Sequence, residues 1–187
     1  MRPNVAIFER TGVKSPGYAF GLINYYMNEK FRKYCALPVT KLSGVDSAVV
    51  ELAQEIIITK RKVTFAKYNA ERTLQYGTKV TMVGYGNDDS SETSKLTILQ
   101  TGKGVVAKCR AADFMDNPIC VQSSKRFKWQ CTGTGDSGGP LVYEKEDDNQ
   151  KLVMGFLSGL STFTDEQKFM IYASVKVNMD FLKTYLK

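Results

Sequence analysis

The stretch Gly135-Asp136-Ser137-Gly138-Gly139-Pro140 runs straight into the apolar Leu141-Val142-Tyr143, and its reading decides the fold. Three glycines in five positions let the backbone turn sharply and approach a ligand closely. A serine hydroxyl held in such a turn is exposed. The N–H groups of Gly135 and Ser137 could converge on a developing oxyanion, which acyl transfer requires. Pro140 fixes φ and opens the following strand. An arbitrary Gly-Ser-Gly would be no more than a hairpin turn.

Working outward, the second half of the chain reads as all-β. Strands are predicted at 79–85, 95–100, 104–108, 140–143, 152–158 and 169–176. The tracts Gly86–Ser91 and Glu144–Asn149 between them are polar turns. Short strands at this spacing predict a barrel or sandwich. The tail reads as a helix capped by Asn178, with Phe181, Leu182, Tyr185 and Leu186 on one apolar stripe. Upstream, residues 5–8 read as a strand, and Val49, Val50 and Leu52 as a buried strand just after Asp46. The aromatic-rich 22–35 fits a strand pair or a helix face, and 60–76 is polar and irregular.

Six consecutive positions, GDSGGP, resemble the nucleophile loop of the trypsin-like (chymotrypsin-fold) serine proteases. Weaker matches follow in the family's order. Asp46-Ser47-Ala48-Val49-Val50 resembles the segment with the aspartate that orients the base. Gly84-Tyr85-Gly86 is similar to a strand end that carries Trp between the glycines. Ile119-Cys120, Gly155–Gly159 and Tyr172–Val175 with the terminal helix complete the series, which covers roughly 40–187. The resemblance implies an all-β fold, a trypsin-like double antiparallel β-barrel with a C-terminal helix. It implies a single peptidase domain over 1–187: residues 1–76 a partial first barrel and linker, and 77–187 the second barrel and helix.

The same resemblance assigns roles. Ser137 matches the nucleophile, Asp46 the orienting carboxylate, and Gly135 and Ser137 the oxyanion donors. Asp136 matches the carboxylate that pairs with a freed N-terminus on activation; no activation-cleavage sequence accompanies it. Ser158 and Gly159 match the strand that binds substrate main chain, and Cys131, Leu160 and Met170 stand around the specificity pocket. Cys131 stands where enzymes cleaving after Lys or Arg carry Asp; a two-residue insertion would put Trp129 at the pocket base instead. Leu160 and Met170 replace wall glycines, so a small P1 residue or no P1 binding is expected. Cys109 and Cys120 resemble a bridged family pair. Cys35 either pairs with Cys131 or with a lost segment, or both are thiols. Apart from the ordered matches, Asp46 and Asp136 would be plain turn residues.

Histidine is absent: none of the 187 residues carries an imidazole. A serine hydroxyl is a poor nucleophile until a base takes its proton. In the triad template the His precedes the Asp by about 45 positions, and that count back from Asp46 reaches Met1. Two explanations fit: the first-barrel segment with the histidine is missing from this polypeptide, or the protein is an inactive homologue. A Ser–Lys dyad is a third, but no lysine is singled out.

Composition narrows the partners. The net charge of +7 is scattered, with Lys60-Arg61-Lys62 and Lys125-Arg126 as the clusters, and reads as a solvated surface. A protein or peptide substrate or binding partner is expected, with no nucleic acid, no membrane, no cofactor and no metal. No run of about 18 apolar residues occurs. A monomer is expected, and the resemblance implies secretion although no signal peptide is visible.

Overall fold

The computed structural model describes residues 22–29, 42–53, 65–86, 99–109, 114–123, 131–144, 150–164 and 167–186. Its centre is a closed six-stranded antiparallel barrel. The strands are β5 (Lys79–Gly84), β6 (Gln100–Ala107), β8 (Ile119–Gln122), β9 (Pro140–Glu144), β10 (Lys151–Thr164) and β11 (Gln167–Ser174). They are ordered β11-β8-β6-β5-β9-β10, and pairing of β10 with β11 closes the ring. Closure leaves no edge within the barrel. The interior is filled by Val80 and Met82 of β5, Val106, Val121, Leu141 and Leu157, and Met170 and Tyr172 of β11. The i, i+2 spacing of the β5 and β11 pairs is what puts both members on one face.

Earlier in the chain, β1 (Leu22–Met27) pairs antiparallel with β3 (Ala48–Leu52) as a separate two-stranded sheet. The aromatic-rich stretch is thus a strand over Leu22–Met27. Short pairings complete the topology: β2 (Leu42–Ser43) with β7 (Phe114–Met115), and β4 (Lys67–Tyr68) alongside β10. Helix α1 (Met179–Tyr185) ties sheet to barrel. Its Met179 and Leu182 are buried with Val49 of β3, Val153 of β10 and Val175, flanked by Tyr26, Phe156 and Phe181. Burying a side chain of that size stabilises by about 1.5–3 kcal/mol.

Three sequence expectations need correction. The break expected between strands at 95–100 and 104–108 is absent: β6 runs unbroken over Gln100–Ala107, because Gly102 and Gly104 pair with Met82 and Val80 of β5, while 95–98 lie outside the described residues. Tertiary pairing overrides the poor strand propensity of glycine. Strand β10 runs on to Thr164, with register shifts at 153/155, 157/159 and 162/164. Asn178 makes no side-chain cap bond to α1; its amide is buried and used elsewhere. The strand expected at 5–8, Trp129 and Cys35 lie outside the described residues.

Candidate active site

The nucleophile-like loop is a tight double turn. Asp136 N–H donates to Gly133 O at 3.2 Å and Gly139 N–H to Asp136 O at 2.8 Å. Gly138 N–H donates to Leu157 O and Leu157 N–H to Gly139 O, both at 2.9 Å, which stitches the loop onto β10. Gly135 at φ +97° and Gly138 at φ +80° are left-handed, a region that penalises any Cβ. Between them Ser137 is exposed.

The Asp136 side chain turns inward. Its carboxylate accepts Gly86 N–H at 2.7 Å and Gly133 N–H at 2.8 Å. Such charge-assisted bonds are about twice as strong as neutral ones. A Cβ at Gly86 would lie 2.6 Å from Asp136 Cγ, so only glycine admits the carboxylate there. Burial first, and the Asp136 charge second, push the Tyr172 hydroxyl above its ordinary value. With Gly133, Asp136, Gly138 and Gly139 all donating, the amides of Gly135 and Ser137 have no acceptor among the described residues.

Asp46 reaches this loop from the other module. Ser158 Oγ donates to Asp46 Oδ2 at 2.6 Å across 112 positions of sequence. Ser158 directly follows Leu157, the residue bonded to Gly138 and Gly139. Asp46, Ser158 and Ser137 are therefore brought to one region. Burial raises the Asp46 carboxyl above the usual carboxylate range, and the Ser158 bond partly opposes it.

Asn178 holds the segment that presents Asp46. Its Oδ1 accepts Ser47 Oγ at 2.5 Å and Asn28 Nδ2 at 3.0 Å. Its Nδ2 donates to Gly44 O at 2.7 Å and Ser174 O at 2.8 Å. Gly44 and Ser47 bracket Asp46, so one buried amide fixes the loop from both sides. Sequence reasoning missed this, since Asn before a helix has the appearance of a cap. It also missed the cradle of Asp136, whose signal was the Gly84-Tyr85-Gly86 pair of glycines.

Around the expected pocket, Cys131 is half-buried against the barrel core. Ser158 and Gly159 are half-buried. Leu160 and Met170 are register partners across β10 and β11, yet Leu160 is 44% exposed while Met170 is wholly inside the barrel. Thr132 Oγ1 is buried with no hydrogen-bond partner. Cys109 and Cys120 form a disulfide joining the end of β6 to β8. No cluster of three or more His, Cys, Asp or Glu able to hold a metal occurs among the described residues. No described helix is long and apolar enough to cross a membrane.

The closed antiparallel barrel, the terminal helix and the loop around Ser137 define a trypsin-like fold. The trypsin family profile matches residues 14–182, and the chain belongs to the trypsin family of serine proteases. It is 33% identical over 147 residues to the cercarial protease of Schistosoma mansoni, covering 76% of this chain. The chain spans about half, 53%, of that relative's length.

Proposed function

We propose that the chain is a serine endopeptidase domain that hydrolyses peptide bonds through Ser137, and that these 187 residues alone are inert for want of an imidazole base. The observation that carries the reading is the exposed Ser137 in a turn where the Gly135 and Ser137 amides have no acceptor among the described residues, one bond from the strand that holds Asp46. In this reading Asp46 orients the base and Gly135 and Ser137 N–H receive the oxyanion. Ser158 and Gly159 align substrate main chain. Cys131, Leu160 and Met170 restrict P1 to small residues, because Met170 already occupies the barrel interior. The substrate is a protein or peptide, met outside the cell by a monomeric enzyme.

A second reading is a non-catalytic, protein-binding homologue. It is favoured by the lack of histidine and by the filled interior at Met170. A fluorophosphonate probe separates the two. The chain alone should label no faster than Ser137→Ala. High imidazole, standing in for the missing base, should restore labelling of the parent but not of Ser137→Ala. Labelling without imidazole would overturn the inert-alone statement. Silence both with imidazole and after fusion to a histidine-bearing N-terminal segment would favour the binding module.

A further inference from the structure

The far end of the barrel carries a cleft that the proposed chemistry does not use. It lies where Gly77 N–H donates to Val106 O at 2.7 Å, at the Lys79 end of β5. The opposite end of β5, at Gly84 and beyond it Gly86, faces Asp136. The cleft holds about 920 Å³. Arg72, Lys108 and Lys176 line it, and among the described residues no aspartate or glutamate does. Lys176 Nζ donates to Thr73 Oγ1 at 2.8 Å, and the Arg72 guanidinium donates to Tyr143 Oη at 2.8 Å and lies over that ring. Neither partner is an anion, so the charges are positioned but not neutralised. Leu74, Ile119 and Val177 supply an apolar part of the same lining, with Val177 38% exposed.

The geometry points to a docking site for an acidic peptide segment of a partner protein, one bearing Asp or Glu close to an apolar anchor. Charge complementarity selects the acid: three cations without a counter-charge among the described residues raise the local concentration of an anionic partner and orient it. The apolar lining selects a peptide over a sulfated polysaccharide. A polyanion gains from a continuous cationic track and nothing from Leu74 and Ile119, whereas an anchoring side chain gains by leaving water. The site is independent of Ser137 and stands whether or not the chain is a peptidase.

The test is selection of random dodecapeptides displayed on phage against the protein carrying Ser137→Ala, followed by fluorescence anisotropy of the enriched peptides. Enriched peptides should carry Asp or Glu close to one apolar residue. Lys108→Glu combined with Lys176→Glu should weaken them about tenfold or more, and raised salt should do the same. Lys151→Glu combined with Lys183→Glu, which alters the same total charge away from the cleft, should leave binding within about twofold. Near-UV circular dichroism verifies that both double variants are folded. Enrichment without acidic bias, equal loss in both double variants, or tighter binding of a heparin dodecasaccharide at the same lysines would each overturn the proposal.

Discussion

Burial raises the Asp46 carboxyl above its ordinary value, and the one hydrogen bond from Ser158 only partly opposes that rise. A carboxyl that is harder to ionise in the folded chain binds its proton more tightly there. Its contribution to stability is full below the ordinary carboxylate range and is lost as pH rises through the raised folded value. At neutral pH the charge therefore opposes folding. Asp46→Asn keeps an acceptor for Ser158 Oγ and removes the charge. Its thermal midpoint should rise at pH 7 by on the order of 1 °C, because the group is only half-buried and solvent screens it. The difference should vanish below about pH 4. A lower midpoint at pH 7 would mean that the charged hydrogen bond outweighs burial. Asp136 is held by two backbone amides instead. Its removal in Asp136→Ala leaves the Gly86 and Gly133 amides without an acceptor. The cost is about 2–4 kcal/mol, read as a fall in the urea midpoint at unchanged m-value. Only half of this was legible beforehand. The turn around Ser137 is local, so its glycines announce it. The Gly86 N–H that donates to Asp136 and the Ser158 hydroxyl that donates to Asp46 lie 50 and 112 positions away. No local rule reaches that far; Asp46 could be named only through the order of weak matches.

Helix α1 illustrates how an element can be placed correctly for an incomplete reason. Its apolar stripe is plain in the sequence, and Leu182 and Phe181 pack as that stripe demands. Asn178 at its start was read locally as a cap, whereas its amide makes four bonds to Asn28, Gly44, Ser47 and Ser174. Every lone pair and proton of that amide is satisfied, so truncation leaves several buried groups unpaired. Asn178→Ala should cost about 2–4 kcal/mol, and amide exchange around Gly44–Ser47 should accelerate more than exchange within β5. Uniform acceleration would instead assign Asn178 to global stability. The pairing of β6 with β8 carries a second element-scale prediction. The Cys109–Cys120 bridge closes a loop across 11 positions. Replacing both by serine should lower the thermal midpoint by roughly 5–10 °C, from about 2–3 kcal/mol of lost stability. A shift under about 2 °C would mean that β8 is held by its flanks, β6 and β11, alone.

At the scale of the molecule, two modules of unequal closure share one helix. The barrel is closed by β10–β11, and its amides pair all round. The β1–β3 sheet has two strands, and a two-stranded sheet is marginal without packing on one face. One face has that packing: Val49 enters the helix cluster, and the Tyr26 ring stacks on Tyr185 at 4.3 Å. Among the described residues the other face does not. Tyr25 and Val50 are cross-strand partners at 69% and 40% exposure, an apolar pair turned to water. The sheet can thus open without breaching the barrel; among the described residues this gives up the packing of Val49 and Tyr26, the bonds of Asn28 and Ser47 to Asn178 and, if the preceding loop follows, those of Gly44 and Asp46 to Asn178 and Ser158. Native-state hydrogen exchange should find β1 and β3 amides exchanging through a local opening on the order of 100-fold faster than those of β5, β6 and β9. That local opening should be insensitive to low denaturant, while the barrel amides merge with global unfolding. Phe181→Ala, which weakens the packing of α1, should widen the gap by accelerating β1 and β3 selectively. Equal protection in both modules would mean that the helix couples them into one cooperative unit. Asp46 would then be as firmly held as the turn carrying Ser137.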